Sequence, residues 1–315
     1  MNALEVSHLS KRYGEQTVVD DLSFFVQPGE VFGLIGPNGA GKSTTMLIIV
    51  GLIKADGGTV LFEGQRHTPR DAKMRSRLGI VPQEIAVYPE LSALQNLRFF
   101  GRLQGLSGRK LNERVDEVLQ LTGLTPSADH TVATFSGGMS RRLNFGIALL
   151  HEPSFVVLDE PTVGIDPQSR TNLLDGVRDL SRRGVGVLYA SHYMEEIEAI
   201  CNRVAIIDRG KMLRQGTLDQ LLDRSPFDFQ VRVASLPTDL SESLGQSTEI
   251  SSDDEGAVNI VIRESADNPQ SGGTDRLRAV LEKLDQARIP VQGITTPETS
   301  LETLFLSLTG RTLRD

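Results

Sequence analysis

The 315 residues suffice for one large domain or two ordinary ones, and 39% hydrophobic with 23% charged residues is a globular composition. A formal net charge of -8 argues against duplex nucleic acid, whose binders carry a basic face. The single cysteine, Cys201, excludes an internal disulfide and a thiolate metal cluster and reads as a packed small residue. The five histidines (His8, His67, His130, His151, His192) lack the i, i+4 pairing of a metal-binding helix.

The start of the chain, from Met1 to Val6, has no basic segment followed by an apolar core, so no signal peptide is expected. The longest apolar stretch, Met46 to Ile53, is broken by Gly51 and falls far short of the ~20 residues of a membrane span. A role in transport would therefore require a separate membrane partner.

Residues 1 to about 30 alternate apolar and polar side chains around turns at Tyr13-Gly14-Glu15 and Gln27-Pro28-Gly29-Glu30, the pattern of short antiparallel strands. Glu30 to Ile35 reads as a buried strand, followed by a glycine-rich loop and a helix beginning at Lys42. Between about 84 and 150 the pattern turns helical, with Val115, Val118 and Leu119 at helical spacing; Leu97, Phe99, Phe100 and Leu103 read as core positions. From Phe155 onward strands (155–158, 186–190, 204–207) alternate with helices (Ser169 to Arg182), which implies a parallel sheet covered by helices. A boundary is expected near Asp223-Arg224-Ser225-Pro226. Beyond it, Phe227, Phe229, Val231 and Val233, then Val258, Ile260 and Ile262, mark strands separated by a polar, acidic loop from Ser241 to Gly256. Leu277, Val280, Leu281 and Leu284 mark one amphipathic helix, and Leu301, Leu304, Phe305 and Leu308 another. The expected division is a domain over 1–222 and a small α+β domain over 223–315.

The chemistry starts at Gly36-Pro37-Asn38-Gly39-Ala40-Gly41-Lys42-Ser43, which fits the eight-residue phosphate loop and lies between strand and helix as that loop requires. Glycines let backbone N–H groups converge on phosphate oxygens, and the helix N-terminus adds about half a positive charge. Lys42 is placed to reach the β- and γ-phosphates, and the Ser43 hydroxyl to ligate Mg²⁺. The strand Phe155-Val156-Val157-Leu158 ends in Asp159 and Glu160. Asp159 suits the Mg²⁺ shell, and Glu160 suits the base that orients and deprotonates water.

Phe135-Ser136-Gly137-Gly138-Met139 resembles the signature segment of ABC ATPases, commonly Leu-Ser-Gly-Gly-Gln. The resemblance runs in order over about residues 1–222. It implies a P-loop NTPase fold of the ABC ATPase kind: an α/β core with a mixed sheet, an antiparallel β subdomain and a helical subdomain over about 84–150. It also implies that Tyr13 stacks on adenine and that Gly36 to Thr44 hold the phosphates. By the same resemblance Gln83 senses Mg²⁺, Asp166 lies in the aspartate loop, and His192 is the switch histidine. In this family Ser136, Gly137 and Gly138 cap ATP bound to a second subunit, so two copies enclose two ATP molecules. Phe135 replaces leucine and Met139 replaces glutamine; the serine and glycines are intact, so activity is expected to survive. Arg141 and Arg142 read as a solvated helix face, with a phosphate or partner contact as the alternative. The end of the chain, Thr299 to Gly310, resembles the tail of drug-export ATPases of the daunorubicin-resistance type, as does Gly-Gly-Met-Ser-Arg-Arg.

The resemblance implies an ATP-hydrolysing exporter subunit acting through a transmembrane permease at the cytoplasmic face of the cell membrane, without nucleic acid. Two rivals are weighed against it: a non-transport ABC ATPase of DNA repair or translation, and a module that binds ATP without hydrolysing it. The first lacks its usual coiled-coil insertion or second ATPase unit; the second is opposed by Lys42, Glu160 and His192.

Overall fold

The alternating pattern after Phe155 becomes a largely parallel sheet in the computed structural model, which describes residues 1–67, 72–222, 229–237, 240, 241, 244, 248–252, 257–262, 273–295 and 300–309. In chain order the elements up to the helical lobe are β1 (Leu4–Tyr13), β2 (Gln16–Val26), β3 (Val31–Ile35), α1 (Lys42–Ile49), β4 (Gly57–Phe62), β5 (Gln65–Arg66), α2 (Ala72–Arg75) and β6 (Leu78–Val81). The lobe holds α3 (Ala93–Leu103), α4 (Gly108–Leu121) and α5 (Gly137–Leu149). Then follow β7 (Phe155–Asp159), α6 (Pro167–Arg182), β8 (Gly186–Ala190), α7 (Met194–Ile200), β9 (Arg203–Asp208), β10 (Lys211–Thr217) and α8 (Leu218–Leu222). The remainder comprises β11 (Phe229–Val233), β12 (Thr248–Ser252), β13 (Val258–Ile262), α9 (Gly273–Gln286), β14 (Val291–Thr295) and α10 (Leu301–Thr309).

The chain divides into two units, Met1–Leu221 joined by the segment from Leu301, and Leu222–Ser300. In the first, a sheet of order β10-β9-β3-β8-β7-β6 is parallel from β9 to β6, with β10 antiparallel at its edge. The central strands read as near-continuous apolar runs because both faces are covered: β3 and β8 are buried throughout. An antiparallel sheet, β2-β1-β4-β5, packs with it over Leu4, Leu9, Phe32, Met46 and Phe62. A separate core of Leu97, Leu111, Val115, Val118 and Leu143 holds the lobe of α3, α4 and α5. Parallel strands end at one edge of a sheet, where an open α/β fold places its ligand. The registers Leu34↔Ala190, Asp159↔Ala190 and Val81↔Leu158 therefore deliver the segments after β3, β8, β7 and β6 to one edge.

The second unit is an antiparallel sheet, β12-β13-β11-β14, with Val231, Val233, Ile260 and Ile262 packed with Val280 and Leu284 of α9. Here the structure departs from the sequence reading. The stretch expected as a loop from Ser241 to Gly256 contains β12, in which Ile250 pairs with Ile260. Its polar residues suit a strand at the edge of a sheet, where charge is favoured over apolar surface. The boundary residues Asp223 to Pro226, and Phe227, lie outside the described residues.

Two further differences concern helices. The helix expected inside the 223–315 domain, α10, instead belongs to the first unit. Leu301 and Phe305 are buried, the Leu301 N–H donates to Glu198 Oε1 at 2.9 Å, and the helix lies against α7. In α3, Leu97 is core, but Phe99 and Leu103, four residues apart and so on one face, are 37% and 67% exposed. Among the described residues no helix is long and apolar enough to cross a membrane.

Candidate functional site

The loop between β3 and α1 is fixed by its own backbone. Ala40 N–H donates to Pro37 O, and the Ala40 carbonyl accepts from Gly210 N at the β9–β10 turn. Gly41 caps α1 at φ 100°, and a Cβ there would stand 2.5 Å from the Val18 carbonyl oxygen, so glycine is required on both counts. Asn38, Gly39 and Ser43 are left exposed on the rim, Thr44 is half-buried, and Lys42 is buried. Lys42 Nζ donates to the carbonyls of Gly36 at 2.6 Å and Pro37 at 3.2 Å. Burial pulls the Lys42 ammonium below the usual lysine range, opposed by the nearby carboxylates of Glu160 and Asp159.

Glu160 is where the sheet-edge segments meet. Its carboxylate lies 3.7 Å from Lys42 Nζ, accepts from Gln83 Nε2 at 3.1 Å, and lies 3.4 Å from His192 Nδ1. Glu160 itself is buried, its N–H donates to the Ala190 carbonyl, and its φ is 46°. A left-handed backbone at a non-glycine residue is strained, and such strain persists where the surroundings over-determine it. Asp159 stands beside it and accepts from the Ser43 hydroxyl. Burial raises the Asp159 pKa first of all; the Ser43 bond and Lys42 act the other way, and Glu160 adds to the rise. Asp159 Oδ1 is buried without a hydrogen-bond partner. A carboxylate oxygen left unpaired next to a serine hydroxyl fits a hard divalent cation that takes oxygen ligands.

Ser136, Gly137, Gly138 and Asp166 form a second group. Ser136 caps α5 by accepting from Met139 N–H at 3.2 Å, and Asp166 caps α6 by accepting from Ser169 N–H at 2.9 Å. That backbone bond holds the Asp166 carboxyl below the usual carboxylate range. The two caps are in contact: a Cβ on Gly138 would stand 2.9 Å from Asp166 Oδ2 and 2.2 Å from Ser169 Oγ. Ser136 and Gly137 remain exposed, while Phe135 and Met139 pack on the core of the helical lobe. Tyr13 joins neither group. It ends β1, 48% exposed, with Lys11 Nζ 5.4 Å from its ring centroid.

Three charged residues take places that the sequence reading did not foresee. Arg141, read as solvated, is buried; its guanidinium donates to the Gln83 carbonyl and, at 3.3 Å, to the Val163 carbonyl. It thereby joins α5 to the segments that follow β6 and β7. Arg142 is half-buried and donates to Thr122 O at 2.8 Å, so the pair is not a solvated face either. Glu196, an acid in the first turn of α7, is buried and accepts from Thr162, two residues beyond Glu160. Nothing in the local pattern separates these charges from surface ones. Cys201 is buried, which pushes its thiol far above the ordinary range.

Comparison with known proteins agrees with the geometry. Residues 19–163 match the family described as ABC transporter. The linearmycin resistance ATP-binding protein LnrL of Bacillus subtilis is 41% identical over 99% of this chain and 100% of its own length. A Nod factor export ATP-binding protein I of Sinorhizobium fredii is 35% identical over 99% of this chain and 88% of its own. Among solved structures, an ATP-binding subunit of an ABC transporter superposes with a TM-score of 0.64 at 32% identity, over 70% of this chain and 92% of the other. The phosphate loop, the paired acids and the signature helix thus stand in a chain aligned end to end with such relatives, and the chain belongs to the ATP-binding subunits of ABC transporters, an ATPase of that family.

Proposed function

We propose that this chain is the ATP-hydrolysing subunit of an exporter, driving efflux through a separate transmembrane permease at the cytoplasmic face of the cell membrane. The observation that carries the hydrolytic part is the convergence of Lys42, Gln83 and His192 on the buried carboxylate of Glu160. Lys42 binds the β- and γ-phosphates, with the backbone N–H groups from Gly36 to Thr44 around them. Glu160 orients and deprotonates the attacking water. His192 and Gln83 hold that carboxylate and line the place of the γ-phosphate. Ser43, Asp159 and Gln83 would hold Mg²⁺, which would supply neutralisation of charge on the phosphates. Tyr13 stacks on adenine.

The exposed N-terminus of α5 supports a sandwich of two copies. Ser136, Gly137 and Gly138 of one copy cap ATP bound at the other's Lys42, with Asp166 at the seam. A ligand shifts a conformational equilibrium only by differential affinity, and a γ-phosphate contacted from both copies supplies it. Export is supported by the names of the two relatives, one concerned with linearmycin resistance and one with Nod factor export. A permease contact is supported by exposed apolar side chains beside Gln83. Ile85, Tyr88, Phe99, Leu103 and Leu52 are each more than a third exposed. Leu52 and Leu103 also border a groove of about 440 Å³ whose walls mix Leu78 and Ile80 with Arg75, Ser76 and Gln104. Tyr88 and Phe99 touch one another at the surface, and exposed apolar side chains that cluster mark an interaction site.

The test has two arms. Mg²⁺-dependent ATP hydrolysis by the purified chain should vanish in Glu160→Gln. The chain should co-purify with a polytopic membrane protein and lose it in Phe99→Glu with Leu103→Glu. A stable complex with DNA or ribosomes, and none with membranes, would overturn the transport reading.

A further inference from the structure

Glu196 is the most fully buried acid among the described residues, at 2% exposure, and four side chains surround its carboxylate. One oxygen, Oε2, accepts from Thr162 Oγ1 at 2.8 Å, Tyr189 OH at 2.8 Å and Ser191 Oγ at 2.9 Å. The other, Oε1, faces Arg170 Nε at 3.3 Å, an ion pair whose angle is too poor for a hydrogen bond. The Arg170 guanidinium lies 4.8 Å from the Tyr193 ring centroid, and that ring stands 4.1 Å from the His192 ring. Ser191 Oγ, while donating to Glu196, also accepts the Tyr193 N–H at 3.0 Å.

Three of the four partners of this carboxylate sit next to hydrolytic machinery or lead to it, and the fourth, Tyr189, lies in β8 three residues before His192. Thr162 is two residues past Glu160, Ser191 directly precedes His192, and Arg170 packs over Tyr193, whose ring neighbours that of His192. A buried charge is a costly way to fill a core; well-packed apolar residues often stabilise as much or more. What a carboxylate supplies instead is direction, because three hydroxyls donating to one oxygen and a guanidinium paired by charge with the other favour a single arrangement. We propose that Glu196 is a positioning residue for hydrolysis: by gripping Thr162, Ser191 and Arg170 at once, it fixes Glu160 and His192 relative to each other. This rests on the reading of Glu160 and His192 given above. The hydrogen bonds and ion pair of Glu196 run to Thr162, Tyr189, Ser191 and Arg170 rather than to the phosphate loop, so the effect is expected on rate far more than on nucleotide affinity.

The experiment is Glu196→Gln in the full chain, measured for kcat, KM, affinity for a non-hydrolysable ATP analogue, and Tm. Misplacing reacting groups by about 1 Å costs on the order of 10²-fold in rate. The expected result is a fall in kcat approaching that size, with analogue affinity held within about twofold. Thr162→Val should lower kcat as well, and Thr162→Ser, which keeps the hydroxyl, should restore it. Ser191→Ala combined with Glu196→Gln should cost less than the two separately, as residues acting through one contact do. A lowered Tm with unchanged kcat, or an equal loss of analogue affinity and rate, overturns the proposal. If Glu160→Gln and His192→Ala abolish activity while Glu196→Gln leaves it intact, this assignment fails and the reading of the site stands. If all three leave it intact, the reading of the site fails first.

Discussion

The two units solve the problem of an interior in opposite ways. Among the described residues every buried charged side chain, Glu30, Lys42, Arg141, Glu160 and Glu196, belongs to the first unit. The second buries Val231, Val233, Ile260, Ile262, Val280 and Leu284. Desolvating a charge costs several kcal/mol before any partner recovers it, so the first interior is not arranged for stability. Apart from Glu30, which precedes β3 and pairs with Arg203, its charges lie at the site or on segments that lead to it. The second interior does only what hydrocarbon can do. Damage to the first should therefore appear as lost rate, and damage to the second as lost stability.

The largest separation is expected from Glu160→Gln. It should lower kcat by roughly 10²–10⁴, the range of general-base assistance, while ATP binding and Tm hold; steady-state kinetics with a thermal melt checks both. The complementary change is Ile260→Ala, which should cost about 2–5 kcal/mol in the second unit and leave ATPase kinetics within about twofold. A large loss of kcat in Ile260→Ala would break the contrast. Arg141→Met should lower kcat on the order of 10-fold by freeing the Gln83 and Val163 carbonyls. Arg141→Lys should fall between, since a lysine cannot reproduce a planar fork. The smallest effect is a displaced pH profile. Asp159 titrates above an ordinary carboxylate, chiefly because it is buried. Falling pH therefore protonates it early, and Mg²⁺-dependent kcat/KM should begin to decline at a higher pH than an exposed aspartate would give. Supplying more Mg²⁺ should move the decline back, because a bound cation favours the carboxylate form.

Legibility in the sequence follows the range of the interactions. The phosphate loop, the paired acids after β7 and the helix capped by Ser136 are local patterns, and they lie where the sequence placed them. The convergence of Lys42, Gln83 and His192 on Glu160 follows from strand order, which local periodicity does not encode. Arg141 and Glu196 were unreadable for the same reason: their partners lie 58 and 22 residues away for one, and up to 34 for the other. β12 was missed because edge strands carry charge and so lack the apolar alternation by which a strand is recognised. The apolar spacing of α10 identified the helix, but not which of two cores would receive Leu301 and Phe305.

The destination of α10 changes what the second unit is. With Leu221 and Leu301 both in the first unit, the intervening segment of about 80 residues leaves that unit and comes back to it, a graft rather than a tail. A stop codon near residue 224 would thus remove two things: the graft, and the helix that lies on α7, the same helix that presents Glu196. Excision of 223–300 with a flexible linker in its place isolates the first effect from the second. Doubling the length of a closed loop costs only about 0.6 kcal/mol. The graft is accordingly a place where length can drift with little thermodynamic consequence, while the ATPase on either side of it stays whole.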